Sequence, residues 1–352
     1  MTQIARMQIS KVVKPMKTTF ATSLGSKTCA TSVIIKITLT DGSTGLGEVP
    51  TSFVFPNETA EKIKTILSHL RLLALGFEIE DYKWLANHAK LDYPDFHMTC
   101  SGLEVALFRA WLATNGKKEF SHWGAKKTTI ETDITIPFVP KPRALDIWLQ
   151  NSTDTNFRIY KIKVSGRVDE DIAFLKTIYA FLIKHIDTPV IRLDGNQGYT
   201  AKTCLDMLKK CRKSNIAVEL FEQPLKRDDY KGLASLRGKT EIPIIVDETV
   251  FDLADCRRVI DNDLADGINI KIAKSGIDHS AKIYTLAKRA GLKLMLGCMT
   301  ETMTGLSAAI NFAAGKGGFD YIDLDSIHFF AHANRYEDIA ILGPAYQIRN
   351  AR

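Results

Sequence analysis

The sequence lacks the marks of a secreted or membrane-spanning protein. No apolar run is long enough to cross a bilayer. The first residues mix charged and apolar side chains, without the apolar core and small-residue cleavage site of a signal peptide. The cysteines show neither a CxxC pair nor the spacing of a zinc finger, which indicates reduced thiols in a cytoplasmic protein.

A nucleic-acid-binding signature is also missing. The net charge is +7, but the basic residues usually have acidic neighbours, and no basic run is interleaved with aromatic residues. This pattern is typical of a solvated surface and indicates neither a nucleic-acid nor a membrane partner, although the excess charge could attract a small anionic substrate. Gly42, Gly45 and Gly47 do not match the dinucleotide-binding fingerprint and indicate a hairpin.

Residues 1–125 predict an α+β unit. A strand over Ser32–Leu39, a turn at Asp41-Gly42 and a returning strand over Thr44–Val49 form a hairpin. The predicted helices run from after Asn57 to about residue 75, and from a capping box at Ser101 and Glu104 to Asn115-Gly116.

From about residue 128 the pattern alternates between strand and helix. Strands are predicted at Glu131–Phe138, Arg158–Val164, Val190–Asn196, Val218–Gln223, Ile244–Glu248, Gly267–Ala273, Lys293–Met299 and Tyr321–Asp325. Helices are predicted at Glu170–Ile186, Ala201–Ser214, Asp252–Asp261, Ile277–Ala290 and Leu306–Ala314. This alternation predicts an α/β fold with a closed parallel barrel, because an open doubly wound sheet would normally carry a glycine-rich first turn.

Acidic residues stand at the ends of three consecutive predicted strands. Asp194 shares one face of the third strand with Arg192 and Asn196, because side chains alternate along a strand. Glu222 ends the fourth strand and Asp247 the fifth, and such strand ends meet at the catalytic face of a barrel. Ligands that are all oxygen favour Mg²⁺. A salt-bridge network with inward lysines is the alternative, but it does not explain why every carboxylate stands at a strand end.

Lysines occupy two further strand ends. Lys161 and Lys163 point into the barrel from the second strand, as do Asn269 and Lys271 from the sixth. Inside a closed barrel these lysines must find anions or lose their charge. Lys274 lies beyond the sixth strand, and there we expect it to be solvated.

The last two strands end in candidate pocket residues. Cys298 and Met299 are expected to form pocket wall, and a nucleophilic Cys298 is disfavoured because no histidine lies near it in the sequence. Asp323 and Asp325 share one face of the eighth strand and could bind a cationic group of a substrate. Capping of a turn or helix by Asp325 is the alternative.

Together these motifs resemble the enolase superfamily, in its muconate-lactonizing subgroup. The matching motifs are Lys161-Ile162-Lys163, Asp194 with Asn196, Glu222-Gln223-Pro224, Asp247-Glu248 and Asn269-Ile270-Lys271, in that order on successive strands. Asp323-Leu324-Asp325 is similar to the DxD signature of the dipeptide epimerases. The resemblance implies an α+β capping and specificity domain over residues 1–125, a modified TIM barrel, (β/α)7β, over 126–328, and a C-terminal tail over 329–352.

The resemblance also implies an isomerase that epimerises the C-terminal residue of a dipeptide. One Mg²⁺ per subunit, with Mn²⁺ as the alternative, would bind the three strand-end carboxylates and stabilise an enediolate. Lys163 and Lys271 would transfer the α-proton on opposite faces, and Lys161 would stabilise the bound carboxylate. The two aspartates of the DxD motif would hold the α-ammonium. The residues expected to support the metal ligands are Asn196, Glu248 and Asn269.

In this family, two loops read the side chain of the substrate's C-terminal residue, here around Thr18–Lys27 and Thr51–Phe55. Members that act on Ala-Glu often present an arginine from the first loop, roughly where this chain has Gly25. A lysine could supply the cation instead, so the expected substrate is L-Ala-L/D-Glu, as in peptidoglycan peptide metabolism. The candidate specificity residues are Gly25, Lys27 and Phe53, with Lys17 or Lys14 as alternative cations.

Other reactions on the same scaffold are the nearest alternatives: a cycloisomerase, an o-succinylbenzoate synthase or an N-acylamino-acid racemase. Their substrates lack a free ammonium group, so Asp323 and Asp325 discriminate against them. A non-catalytic ligand-binding protein is the alternative from a different class. The sequence leaves the oligomeric state open, including a homo-oligomer.

Overall fold

The computed structural model describes residues 1–22, 25–138, 142–331 and 338–349. In chain order the strands are β1 Ile4–Thr22, β2 Gly25–Leu39, β3 Thr44–Pro50, β4 Thr129–Glu131, β5 Ile134–Ile136, β6 Ile159–Lys163, β7 Val190–Asp194, β8 Val218–Glu222, β9 Ile244–Val246, β10 Gly267–Lys271, β11 Lys293–Gly297, β12 Tyr321–Asp323, β13 Ile339–Leu342 and β14 Ala345–Ile348. The helices are α1 Ala60–Ala74, α2 Tyr82–Asp92, α3 His97–Thr114, α4 Glu119–His122, α5 Pro142–Asp154, α6 Val168–His185, α7 Ala201–Lys213, α8 Tyr230–Leu236, α9 Leu253–Asp261, α10 Ile272–Arg289 and α11 Met303–Lys316. None of the helices in the described ranges has the length and apolar character that a membrane span requires.

An antiparallel sheet, β1-β2-β3, forms the N-terminal unit. The predicted hairpin is confirmed, because β2 and β3 pair across the expected turn with Thr38 opposite Thr44. β1 continues alongside β2 as far as Thr22, which pairs with Gly25. The loop predicted around Thr18–Lys27 is therefore wrong: backbone pairing makes its two arms strands, and residues 23 and 24 lie outside the described residues.

Helix α3 packs against this sheet where β3 carries glycines. A Cβ at Gly45 would lie 2.1 Å from the carbonyl oxygen of Ala106, and one at Gly47 would lie 2.0 Å from that of Gly102. These glycines therefore allow an approach of helix and strand that no other residue would tolerate. They serve packing, in agreement with their assignment to the hairpin.

The start of α3 differs from the prediction. The helix begins at His97, and Ser101 lies buried within it, so the predicted capping box is wrong. The Glu58 carboxylate accepts hydrogen bonds from the backbone N–H groups of Met98 and Thr99 at 2.9 and 2.8 Å. The cap comes from a residue distant in sequence, which a local pattern does not reveal.

The barrel is a parallel sheet in the order β12-β11-β10-β9-β8-β7-β6-β5. One helix, from α5 to α11, follows each strand from β5 to β11. This arrangement confirms the predicted α/β fold and its (β/α)7β form.

Alternation along the barrel strands separates an apolar layer from a polar rim. Leu220, Ile245, Met295 and Tyr321 form a buried cluster distinct from the main core. Two positions further along the same strands, and on the same face, come Glu222, Asp247, Gly297 and Asp323. The apolar layer therefore supports the residues of the rim.

Side-chain hydrogen bonds join the first and last barrel strands. The backbone N–H of Leu324 donates to Thr132 Oγ1 at 2.7 Å, and that of Thr135 donates to Asp325 Oδ2 at 2.6 Å. Asp325 lies at the start of a short 3₁₀ helix but makes no side-chain capping bond to it. Its carboxylate instead holds β5 beside the end of β12.

The C-terminal tail pairs with the segment before the barrel, in a small sheet of order β13-β14-β4. Tyr346 pairs with Ile130, and its hydroxyl donates to the Leu324 carbonyl oxygen at 2.5 Å. The single strand predicted at Glu131–Phe138 is therefore wrong at its start, because pairing with the tail takes β4 out of the barrel. Part of the tail, residues 332–337 and 350–352, lies outside the described residues.

Candidate active site

One cavity at the C-terminal ends of the barrel strands collects most of the predicted site residues. Lys163 on β6 and Lys271 on β10 both line it. Three strands separate β6 from β10 in either direction around the barrel, so these lysines lie on opposite sides. The other predicted residues that line it are Lys27, Phe53, Lys161, Asn196, Asp247, Glu248, Cys298, Met299, Asp323 and Asp325.

Lys161, which lines the cavity, lies among three carboxylates. Its Nζ lies 3.8 Å from Asp194 Oδ2 and 3.5 Å from Glu222 Oε2, and it donates a hydrogen bond to Asp323 Oδ2. Burial acts to lower the pKa of Lys161, but the charges of Asp323, Glu222 and Asp194 outweigh it and raise that pKa well above the ordinary value. Lys163 donates to Asp194 Oδ2 in the same way. These neighbouring carboxylates therefore favour the ammonium form of Lys161.

Two lysines hold Asp247. Lys271 Nζ lies 2.6 Å from Oδ2, and Lys274 Nζ lies 2.5 Å from Oδ1 and also donates to the Asp247 carbonyl oxygen. Burial would raise the pKa of Asp247, but the two ammonium groups lower it below its ordinary value. The expectation that Lys274 is solvated is wrong: it is 3% exposed, because α10 begins directly after β10 and turns it inward.

Two buried glutamates keep their protons more firmly than usual. Burial, and then the charge of Asp194, raises the pKa of Glu222 to about 7. Burial, and then the charge of Asp247, raises the pKa of Glu248 to about 8. Asn269 Nδ2 donates to Glu222 Oε1 at 2.7 Å, but Glu222 Oε2 and both carboxylate oxygens of Glu248 are buried without a hydrogen-bond partner. Such oxygens are costly unless a proton or a cation satisfies them.

These carboxylates fit a divalent cation in their chemistry. Asp194, Glu222 and Asp247 stand at or just after the ends of β7, β8 and β9, all are buried, and they offer oxygen ligands only. Lysine ammonium groups separate them: Lys161 lies beside the first two, and Lys271 Nζ lies 3.9 Å from Glu222 Oε1. Asn196 supports the set, since its backbone N–H donates to Asp194 Oδ1 at 3.0 Å.

A second acidic group lies at another side of the cavity. Among the described residues, Asp133, Asp323 and Asp325 are the one set of three acids whose oxygens come within 4.8 Å of one another. Burial, and then the charge of Asp323, raises the pKa of Asp325 to about 6. Asp133 was not predicted, because it precedes the first barrel strand and does not stand at a strand end.

The mouth of the cavity carries Lys27 and Phe53. Lys27 Nζ lies 5.8 Å from the centroid of the Phe53 ring, and burial lowers the pKa of Lys27 to about 8. Gly25 supports the ring, because a Cβ there would lie 3.0 Å from Phe53 Cε1. Neither Gly25, Lys14 nor Lys17 is among the described residues that line the cavity.

The remaining walls are apolar or uncharged. Burial, and then the charge of Asp325, raises the pKa of the Cys298 thiol well above its ordinary value, which disfavours a thiolate nucleophile. Three lining residues carry no motif in the sequence, and only the folded chain identifies them: Thr135, Ser326 and Phe329. Phe20 also lines the cavity, from within the predicted segment Thr18–Lys27.

Comparison with known proteins gives the family. The model described as "Enolase C-terminal domain-like" matches residues 147–350, which is more than half of the chain. The chain belongs to this enolase family. Its resemblance to the enolase superfamily is thereby confirmed.

Relatives within the enolase family are dipeptide epimerases. The L-Ala-D/L-Glu epimerase of Bacillus subtilis is 32% identical over 329 residues, which cover 92% of this chain and 88% of that protein. An aromatic dipeptide epimerase of Herpetosiphon aurantiacus is 30% identical over 333 residues, or 94% and 92% of the two chains. The structure of a dipeptide epimerase from Enterococcus faecalis, complexed with Mg and L-Leu-L-Tyr, has a TM-score of 0.87 at 25% identity. The match covers 98% of this chain and 97% of that chain.

Proposed function

We propose that this chain is a Mg²⁺-dependent dipeptide epimerase that inverts the α-carbon of the C-terminal residue, with L-Ala-L/D-Glu as the first candidate substrate. The observation that carries the proposal is that Lys163 and Lys271 line one cavity from opposite sides of the barrel. A 1,1-proton transfer needs one amine on each face of the reacting carbon. The names of the relatives support a dipeptide as the substrate.

The two lysines would share the proton transfer. One takes the α-proton from the substrate, which leaves an enediolate, and the other returns a proton to the opposite face. Asp323 and Asp325 line the same cavity and would hold the α-ammonium of the first residue, which places the second residue between the lysines. Lys161, kept charged by its carboxylate neighbours, would stabilise the substrate carboxylate.

Asp194, Glu222 and Asp247 would hold Mg²⁺, with Mn²⁺ as the alternative ion. When bound, the ion supplies positive charge that stabilises negative charge developing on the substrate carboxylate. Asn196 and Asn269 would orient two of these carboxylates through the hydrogen bonds already described, and Glu248 would add a buried carboxylate beside them.

The mouth of the cavity supports an acidic C-terminal residue. Lys27 is the described cation that lines the cavity outside the barrel strands, and an acidic side chain would pair with it. The rings of Phe20, Phe53 and Phe329 line the same cavity and favour an aromatic residue as the second candidate. The six free thiols support a reducing compartment, and we place the protein in the cytoplasm.

Exchange of the substrate α-proton in D₂O tests the proposal. Incubation of a dipeptide library, including L-Ala-L-Glu, with enzyme and Mg²⁺ should incorporate deuterium at the α-carbon of the second residue, as followed by mass spectrometry. Absence of exchange with every dipeptide would overturn the epimerase assignment. Faster exchange with aromatic second residues than with glutamate would transfer the substrate assignment to the second candidate.

Single lysine variants test the two-base assignment. Lys163→Ala and Lys271→Ala should each abolish epimerisation, and one of them should retain exchange with a single substrate epimer, because the opposite lysine is intact. Lys64→Ala, which changes a surface lysine of α1, is the matched control and should behave as the wild type. Normal epimerisation by both active-site variants would contradict the assignment.

A further inference from the structure

The acidic side of the cavity contains a third carboxylate behind the two that line it. Asp133 precedes β5, is 0% exposed, and places a carboxylate oxygen within 4.8 Å of those of Asp323 and Asp325. It is absent from the described residues that line the cavity. Asp133 therefore acts on a ligand through the two aspartates in front of it, and not by contact.

The cations near these three acids do not balance them. Arg192 Nη1 donates to Asp133 Oδ2 at 2.8 Å, but its Nε donates to Glu219 Oε2 at 2.6 Å. Lys161 donates to Asp323 and is shared with the carboxylates of Asp194 and Glu222. Each cation thus serves acids outside the cluster as well, which leaves an excess of negative charge within it.

Unsatisfied oxygens point to the missing positive group. Asp133 Oδ1 and Asp323 Oδ1 are both buried without a hydrogen-bond partner. A buried carboxylate oxygen without a partner costs free energy, which a cation or a proton removes. Burial, and then the charge of Asp323, raises the pKa of Asp133 well above its ordinary value, in agreement with the excess of negative charge in the cluster.

We infer that Asp133 is a positioning residue that makes a free α-ammonium group on the substrate a requirement. This inference rests on the proposed function and deepens it, because it selects dipeptides over N-acyl amino acids. Asp133 supplies the charge, Asp323 and Asp325 supply the contact, and Arg192 fixes the orientation of Asp133 through its second ion pair with Glu219.

The test compares a dipeptide with an analogue that lacks only the ammonium group. L-Ala-L-Glu and N-propionyl-L-glutamate are incubated in D₂O with Mg²⁺, and the rate of α-proton exchange is measured over a range of concentrations. Asp133→Asn keeps the shape of the side chain and an acceptor for Arg192. Asp133→Asn should raise KM for the dipeptide at least about tenfold, with little change in kcat. The ratio of kcat/KM for the dipeptide to kcat/KM for the analogue should fall by the same factor.

Two further variants separate charge from structure. Glu61→Gln removes a carboxylate that is 72% exposed on α1 and leaves Arg192 and the cluster unchanged, so it should keep the wild-type selectivity. Asp133→Glu retains the charge and should keep most of the selectivity. If Asp133→Asn does not fold, this variant still tests the inference, because loss of its selectivity would contradict a role for the charge.

The outcomes distinguish the inference from the proposed function. If the wild type exchanges dipeptides while Asp133→Asn, or another neutral replacement of Asp133 that folds, keeps the full preference for the free ammonium, the inference fails and the proposed function stands. If the wild type exchanges neither compound and no other dipeptide, the proposed function fails and the inference with it.

Discussion

Lys274 contacts Asp247 from the side opposite to Lys271, so two ammonium groups fix one buried carboxylate. A lysine beyond the end of a strand is usually solvated, and the sequence therefore did not reveal that α10 turns this one inward. The inward direction of Lys161, Lys163 and Lys271 was predictable, because alternation along a strand is a local property. Asp133 and Lys274 escaped prediction because their partners come from other parts of the chain.

Replacement of Lys274 by methionine should show whether it neutralises the proposed metal site. Lys274→Met leaves buried Asp247 with one cation fewer, and we expect the free energy of unfolding of the metal-free protein to fall by about 3 kcal/mol. Added Mg²⁺ would restore the missing charge, so it should stabilise this variant more than the wild type. Thermal unfolding with EDTA and with Mg²⁺ measures both effects.

Lys282→Met on the same helix is the control, because the side chain of Lys282, which pairs with Asp278, is 54% exposed. It should unfold like the wild type in both solutions. Equal stabilisation of the wild type and Lys274→Met by Mg²⁺ would show that Lys274 does not share a carboxylate with the metal.

At the scale of elements, α10 consists of two helical segments that meet at Gly276, whose φ is +74°. The predicted start at Ile277 is the start of the second segment. The first segment was missed because Ile272 and Ala273 were predicted as the end of the strand Gly267–Ala273, whereas β10 ends at Lys271 and the helix begins at Ile272. Glu104 caps this second segment: its Oε1 accepts from the Asp278 N–H at 3.0 Å. The sequence identified Glu104 as a capping residue but assigned it to its own helix, since a cap on a distant helix leaves no local pattern.

Two glycine variants separate backbone strain from lack of space. Gly276→Ala combines a positive φ with a Cβ 2.0 Å from Glu104 Oε2, whereas Gly291 has a φ of +75° and no atom within 4 Å of its Cβ position. We expect Gly291→Ala to lower the free energy of unfolding by about 1 kcal/mol and Gly276→Ala by about 3 kcal/mol. Urea unfolding of both variants measures the difference. Equal losses would contradict the role of Glu104 as a tightly packed cap.

At the scale of the whole molecule, Glu48 joins the N-terminal sheet to the barrel beside the cavity. Its carboxylate accepts from the backbone N–H groups of Thr302 and Gly305 at the start of α11, each at 2.9 Å. The barrel was predictable because each strand and helix repeats a local period. This junction was not, because it depends on one carboxylate that meets a helix far along the chain. It also places Glu48 near Glu301, and the cost of that proximity is measurable.

Glu301 should make the protein less stable as pH rises. Burial, and then the charge of Glu48, raises the pKa of Glu301 from 4.5 to about 8. Between these values the native state binds more protons than the unfolded state, so the contribution of Glu301 is complete below the lower pKa and lost as pH rises through the upper one. The free energy of unfolding should fall by up to about 1.4 kcal/mol per pH unit in this window.

Glu301→Gln cannot titrate, so urea unfolding from about pH 5 to about pH 8 should show it gaining stability relative to the wild type. Glu61→Gln, at a surface position of α1 where the side chain is 72% exposed, should run parallel to the wild type. If Glu301→Gln also ran parallel, Glu301 would be ionised across the whole range, and the pH dependence would have to originate in other groups.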